Sequence, residues 1–246
     1  MEIAYFPVDL QRSIEVDIIA GQFDLGSTYS SKYFESRYNT DTKAVITVLR
    51  SIHRKGLIFQ EENGEIRILG LPEAKITSVF QYAEKSQLKP STVVRKVEIR
   101  PADNLIAEKL EIEAQSPLFV QVRTRMINDE ILANQYNFIP YEICPGLENI
   151  DLSQSSFQVA LEKDFHTVIT RIHEDYFLSN PERDDIEVLR ISGKDQILVV
   201  QRTSYSRNNL PVVFADIHVN PRQFYYVKEL WPDANSLINN ICKENR

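Results

Sequence analysis

Two arginines two residues apart, Arg123 and Arg125, are the residues of this 246-residue chain best suited to bind something charged. They lie in a stretch whose even positions, Leu118, Val120, Val122, Thr124 and Met126, are core-like, while the odd ones include Gln121 as well as the two arginines. That alternation predicts a strand with one core face and one polar face, and side chains two apart share a face. Two guanidiniums converging in a cleft would hold a phosphate or a carboxylate. Cross-strand pairing with carboxylates on a sheet surface would use the same residues without a ligand. Ser91 and Thr92 are candidate hydroxyl or backbone donors. Ser155 and Ser156 stand at an expected helix start, where anions are favoured but where capping alone also explains serine. Asp216 shares a strand face with Phe214 and His218 and would accept from ligand hydroxyls or an amine; Tyr205 and Arg207 lie nearby in strand order.

Catalysis finds little support. His53, His166, His173 and His218 are scattered, no Gly-x-Ser-x-Gly elbow occurs, and Cys144 and Cys242 lack metal-ligand spacing, so neither a metal nor a cofactor is implied. Both cysteines read as reduced thiols. A net charge of −7 gives no global attraction to nucleic acid or to anionic membranes, so any DNA contact must come from a local patch. The apolar runs are short and the N-terminus has no signal-peptide pattern, which makes a cytoplasmic location the expectation.

The elements that would carry such a patch come first in the chain. Val45, Val48, Leu49 and Ile52 fall at i, i+3, i+4 and i+7, the stripe of an amphipathic helix, with Asp41 as N-cap and Gly56 as the left-handed stop. Phe34 and Tyr38 mark a shorter helix before it, and Asn39-Thr40 leaves room only for a tight turn, as in a helix-turn-helix. Residues 57–61 and 65–69 flank Asn63-Gly64, which suits a type I′ hairpin. A helix-turn-helix followed by a hairpin is a winged helix. A further helix is expected between Asp9 and Ala20, packed behind it.

Gly70-Leu71-Pro72-Glu73 reads as a linker. The expected division is a winged helix over 1–70, a linker over 71–75 and a second unit over 76–246. That unit opens with a helical face of Ile76, Val79, Phe80 and Ala83. Asn128-Asp129 then turns the arginine strand back into 131–139; 155–165 is helical and 168–178 extended. Pro181 is expected to start a helix, strands over 196–205 and 211–220 close the sheet, and Leu237, Ile238 and Ile241 suggest a short terminal helix. The fold class is α+β, with a largely antiparallel sheet and helices packed on one of its faces.

With these residues placed, residues 9–69 resemble the winged helix of GntR-type bacterial transcription regulators, including the run Lys55-Gly-Leu-Ile58. Residues 76 to about 226 resemble the UTRA effector-binding domain of the HutC subfamily, through Lys89-Pro-Ser91, Arg100-Pro-Ala-Asp103, Arg123-Thr-Arg125, Tyr136-Asn-Phe-Ile-Pro140, Cys144-Pro-Gly-Leu147 and Leu210-Pro-Val-Val-Phe214. The resemblance implies a chorismate-lyase-like fold in that unit. It also implies a homodimeric one-component regulator, of repressor type, whose binding to a double-stranded DNA operator is controlled by a small metabolite such as a sugar phosphate. It tips Arg123 and Arg125 toward ligand binding, and it places Gln135 where sugar-binding relatives often carry Glu.

The match departs from the family where DNA would be read. The usual Ser-Arg-x-Thr-Val-Arg at the start of the recognition helix is here Asp41-Thr-Lys-Ala-Val-Ile46, so both arginines are absent. Glu61, Glu62 and Glu65 occupy a wing that is generally basic, and residues 1–70 carry eight Lys or Arg against ten Asp or Glu, a net of −2. DNA contact is expected from Lys32, Thr42, Lys43, Ile46, Thr47 and Arg50, with Arg54 and Lys55 as further phosphate partners. Two other classes compete: a winged helix turned to protein interaction, and a chorismate-lyase-like enzyme, against which the attached winged helix argues.

Overall fold

The computed structural model describes residues 7–72, 87–152, 157–223, 226, 230–234 and 236–237. Three helices, α1 (Val8–Ile19), α2 (Ser31–Tyr38) and α3 (Thr42–Lys55), pack with a small sheet of β1 (Thr28–Tyr29), β2 (Ile58–Gln60) and β3 (Ile66–Ile68) in the order β1-β3-β2. The expected stripe on α3 is the centre of their shared core: Val45, Val48 and Ile52 are buried against Ile14, Ile18 and Phe34. Asp41 caps α3 by accepting from the Ala44 amide at 2.9 Å, and Gly56 ends it with φ at 83°. The wing turn differs from the expected I′ form. Gly64 has positive φ but Asn63 does not, and the Gly64 amide donates to the Glu61 carbonyl at 2.9 Å, so the loop is longer than two residues and closes on its glycine. Asn63 instead uses its side chain, whose Oδ1 accepts from the Glu65 amide at 2.9 Å.

The larger unit is a six-stranded antiparallel sheet in the order β4-β5-β6-β9-β8-β7, built from β4 (Pro90–Pro101), β5 (Pro117–Ile127), β6 (Glu130–Pro140), β7 (Arg171–Ser179), β8 (Ile197–Tyr205) and β9 (Pro211–Val219). Asn128 and Asp129, with φ of 50° and 65°, form the two-residue turn between β5 and β6, the primed geometry that suits strand twist. Helices cover both faces of the sheet rather than one. On one face α4 (Asn104–Leu110) packs Ile106 and Leu110 on Val120, Phe138 and Phe214, beside α6 (Arg183–Leu189). On the other, α5 (Phe157–Phe165) packs Ala160 and Leu161 on Phe119, Ile139 and Val213. Both faces of β5 are therefore interior, so its odd positions are not a solvated polar face; Gln121 and Arg123 are each 1% exposed. α6 begins at Arg183, capped by Glu182 in a capping box with Asp185, which leaves Pro181 just ahead of the helix instead of in its first turn. The helix expected over 76–83, most of the linker, and the tail beyond 237 lie outside the described residues, as do Ser155, Ser156 and Cys242. Cys144 is buried and free.

Candidate functional site

Register explains why the arginines meet. Arg123 faces Gln135 across the β5–β6 pair, and Gln135 faces Ile217 on β9; Arg125 faces Thr92 on β4 and Ala133 on β6. One side-chain oxygen of Gln135 accepts from both arginines, from Arg123 Nε at 3.3 Å and Arg125 Nε at 3.2 Å, while Arg125 Nη1 donates to Thr92 Oγ1 at 2.9 Å. Gln135 is held in turn by donating to Asn137 Oδ1 at 2.8 Å. Arg123, Arg125 and Gln135 line a cavity, partly open to solvent, between the sheet and α5. Phe157 at the start of α5 lies over Arg123, with the guanidinium carbon 4.7 Å from the ring centre.

Arg202 on β8 also lines the cavity. It is ion-paired with Glu174 at 2.5 Å, and Tyr176 donates to the same carboxylate. Burial, then the neighbouring Arg125 and Arg202, hold the Arg123 guanidinium well below its usual pKa; burial and Arg202 lower Arg125 to about 10. Arg123 has no carboxylate partner among the described residues, and its Nη1 is buried without any hydrogen-bond partner there. A buried donor left in that state is unfavourable, and a bound anion would relieve it.

Of the residues expected at an effector site, the structure gathers Ser91, Arg123, Arg125 and Gln135 on the cavity wall and places Thr92 directly behind Arg125. Asp216 does not join them. It points from β9 to the opposite face, opposite Tyr136, 3.6 Å from His218 Nε2. The residues that the cavity does use on β9 are Val213, Ala215 and Ile217, whose apolar pattern reads as plain core. Arg202, Gln158 and Trp231 also line it; Arg202 was legible as a charged residue inside a strand otherwise rich in Val, Leu and Thr.

The opposite face holds a polar cluster that pins α6 to the sheet. Arg95, the extra residue of a bulge in β4, makes a double contact with Asp184, and Asn134 Nδ2 donates to Asp185 Oδ1 at 3.0 Å. His218 Nδ1 lies 2.8 Å from Asp185. Burial disfavours its charge, but the hydrogen bond to Asp185 and the neighbouring Asp216 carboxylate outweigh that and raise its pKa to about 9.

On the winged helix, Lys32, Thr42, Lys43, Ile46 and Arg50 are exposed and Thr47 half-buried, with its hydroxyl donating to the Lys43 carbonyl at 2.8 Å. Arg54 and Lys55 are corrected: at 8% and 1% exposure neither can reach a phosphate. Arg54 instead ties the end of α3 to the sheet. Its Nε donates to Glu142 at 3.0 Å, its Nη1 to the carbonyls of Leu110 and Pro211 at 3.1 and 3.0 Å, and its Nη2 to that of Glu111 at 3.0 Å. Ser51 donates to the Glu142 carbonyl at 2.8 Å. From the β8–β9 turn, Asn208 Nδ2 donates to the carbonyls of His53 and Ile58, and Arg207 to that of Leu69. Gly56 admits that turn, since a Cβ there would stand 3.1 Å from Arg207 Cβ. Lys55 pairs in the interior with Glu15 at 2.7 Å, and Glu15 also meets His166 at 3.2 Å. Burial lowers the Lys55 pKa; the Glu15 carboxyl, which burial alone would raise, is kept low by Lys55.

A winged helix docked on an antiparallel sheet that encloses a cavity lined by cations defines a ligand-responsive regulator. Residues 85–224 match the UTRA domain family, and with the winged helix ahead of them this chain belongs to the GntR-type transcription regulators of the HutC kind, controlled by a small-molecule effector. Over 182 residues it is 20% identical to an uncharacterized HTH-type transcriptional regulator, YurK, of Bacillus subtilis (strain 168), covering 72% of this chain and 75% of that protein. PhnF from Mycobacterium smegmatis has a similar fold over 86% of this chain and 94% of its own, with a TM-score of 0.55 and 13% identity. A putative regulator from Escherichia coli CFT073 aligns over 53% of this chain and 95% of its own at 28% identity, with a TM-score of 0.50. Among the described residues no helix is long and apolar enough to cross a membrane, and no group of side chains could hold a metal ion.

Proposed function

We propose that this protein is a homodimeric repressor whose grip on its operator is set by a small anionic metabolite bound at Arg123 and Arg125. What carries the reading is Arg123: a buried guanidinium, facing a cavity, with a donor left unused among the described residues. Gln135, Thr92 and Ser91 would orient the anion, and Arg202, held by Glu174, would add to the positive potential. Ser156 stays a candidate from the sequence alone. Lys32, Lys43 and Arg50 would meet phosphates, while Thr42, Ile46 and Thr47 would face base edges, Ile46 against a thymine methyl. Two copies would present two recognition helices to two half-sites, and sedimentation velocity reads their mass directly.

Effector and operator would communicate through the β8–β9 hairpin. Its strands carry Arg202, Ser204, Val213 and Ala215 on the cavity wall, and its turn carries Asn208 and Arg207 into the winged helix. A ligand that favours one docking of that turn over another shifts operator affinity by the same factor by which operator shifts ligand affinity. The test is titration of a labelled promoter duplex with and without candidate anions. Arg123→Ala should still bind DNA but respond only at higher anion concentration, after a loss of about 1.5–3 kcal/mol in anion affinity. An Arg123→Ala, Arg125→Ala protein that folds normally and responds like the parent would show that the effector binds elsewhere.

A further inference from the structure

The cavity wall has a chemistry beyond its charge. Among the described residues, carboxylate or amide acceptors that could recognise a ligand's hydroxyl hydrogens are few on this wall, confined to the side-chain carbonyls of Gln135 and Gln158. No aspartate or glutamate lines the cavity; Glu174, the nearest carboxylate in the hydrogen-bond chain, is occupied by Arg202 and Tyr176. The Gln135 carbonyl already accepts from two arginines, and its amide donates to Asn137. Ser91 and Ser204 add one hydroxyl each, too few for a sugar ring. The buried groups left over are donors: Nη1 of Arg123 and, on the same wall, the indole N–H of Trp231, which is likewise without a partner among the described residues. Much of the remaining surface is Met126, Leu132, Phe157, Val213 and Ile217. A sugar ring brings several hydroxyls, each needing an acceptor for its hydrogen, and against such a wall they would be stripped of water without replacement. An apolar body suffers no such loss and gains from leaving water.

Resting on the anion site at Arg123 and Arg125, we propose that the effector is an amphipathic anion, a carboxylate or phosphate head on an aryl or short acyl body, and not a polyhydroxylated sugar phosphate. Arg123 and Arg125 take the head. The hydrophobic side chains take the body, and the Trp231 N–H serves a single further acceptor such as a carbonyl or ether oxygen.

Calorimetric titration of the full chain with two matched pairs tests this: phenyl phosphate against glucose 6-phosphate, and 3-phenylpropionate against gluconate. In at least one pair the aryl anion should bind about tenfold or more tighter than its polyhydroxylated partner, since a pocket discriminates strongly when polar groups would be left unpaired. Arg123→Ala should remove most of that binding. Val213→Thr, which keeps the side-chain shape but places a hydroxyl on the wall, should narrow the ratio several-fold, with a thermal melt confirming that it is folded. If the sugar acids bind as tightly as the aryl anions and still depend on Arg123, the apolar-body inference is overturned while the anion site stands. If none of the four binds, or binding ignores Arg123→Ala, the anion reading falls and this inference falls with it.

Discussion

Replacing Arg54 by alanine should cut the link between effector and operator. The side chain makes four hydrogen bonds across the contact between α3 and the sheet, at 3.0 to 3.1 Å, and three of the acceptors are backbone carbonyls of residues 110, 111 and 211. Hydrogen bonds to a charged group contribute about 1.5–3 kcal/mol each, but they are not additive, and neither the carbonyls nor Glu142 would regain full solvation in the mutant. Breaking a buried charged contact by removing one partner costs roughly 3–5 kcal/mol, and that range applies to this side chain. At about 1.4 kcal/mol per tenfold, the undocked arrangement gains roughly two to three and a half orders of magnitude in population.

Hydrogen exchange reads this directly. Amides of residues 51–58 and 206–210 should exchange faster in Arg54→Ala, while those of β5 and β6 should not change. In the promoter titration, the factor by which a binding anion alters DNA affinity should fall toward one. Arg54→Lys keeps the charge but loses the planar fork, so it should recover only a part. Wild-type exchange over 51–58 together with an intact response to the anion would refute the idea that this contact carries the coupling.

Lys43 is exposed near the start of α3, and Lys43→Ala should lower the salt dependence of DNA binding by about one unit of slope per protomer engaged; an unchanged slope removes it from the phosphate contacts. Glu15→Ala leaves Lys55 buried and uncompensated, which should cost roughly 3–5 kcal/mol in chemical denaturation, and a loss below about 1 kcal/mol would mean that the pair is not the closed ion pair its distance implies. His218 has a folded pKa of about 9 against an ordinary value of 6.5. Because the folded value is the higher one, its contribution, about 3 kcal/mol, is complete below pH 6.5 and is lost as pH rises through about 9. Melting temperatures of the parent should therefore decline across that interval more steeply than those of His218→Asn, and parallel profiles would count against the Asp185 contact as its cause.

How much of this was readable in the sequence depends on whether the cause was local. The α3 stripe, the Asp41 cap, the Gly56 stop and the Asn128-Asp129 turn are decided by residues within a few positions of one another, and each appears where pattern places it. Arg123 and Arg125 share the cavity wall because strand period alone makes them neighbours. The same period misassigned Asp216. It put Asp216 on the polar side of β9 and the cavity on that side too, whereas the sheet is covered on both faces and the cavity opens on the side of Val213, Ala215 and Ile217. Alternation tells which residues share a face, but not which face a helix from elsewhere in the chain will cover.

Arg54 shows the same limit from the opposite direction. A basic residue in the last turn of a helix reads as a solvated charge or a phosphate contact, and its composition and position are compatible with both. What decides its role is that carbonyls from the end of α4 and the start of β9, 56 and 157 residues away in sequence, converge on it. Backbone carbonyls carry no residue-type signature, so no pattern in the sequence announces them. Because the acceptors are main-chain atoms, any shift of β9 that a ligand at Val213 or Ala215 produced would move the Pro211 carbonyl with it. The recognition helix is bonded to that carbonyl through Arg54, without an intervening side chain on the sheet to absorb the motion.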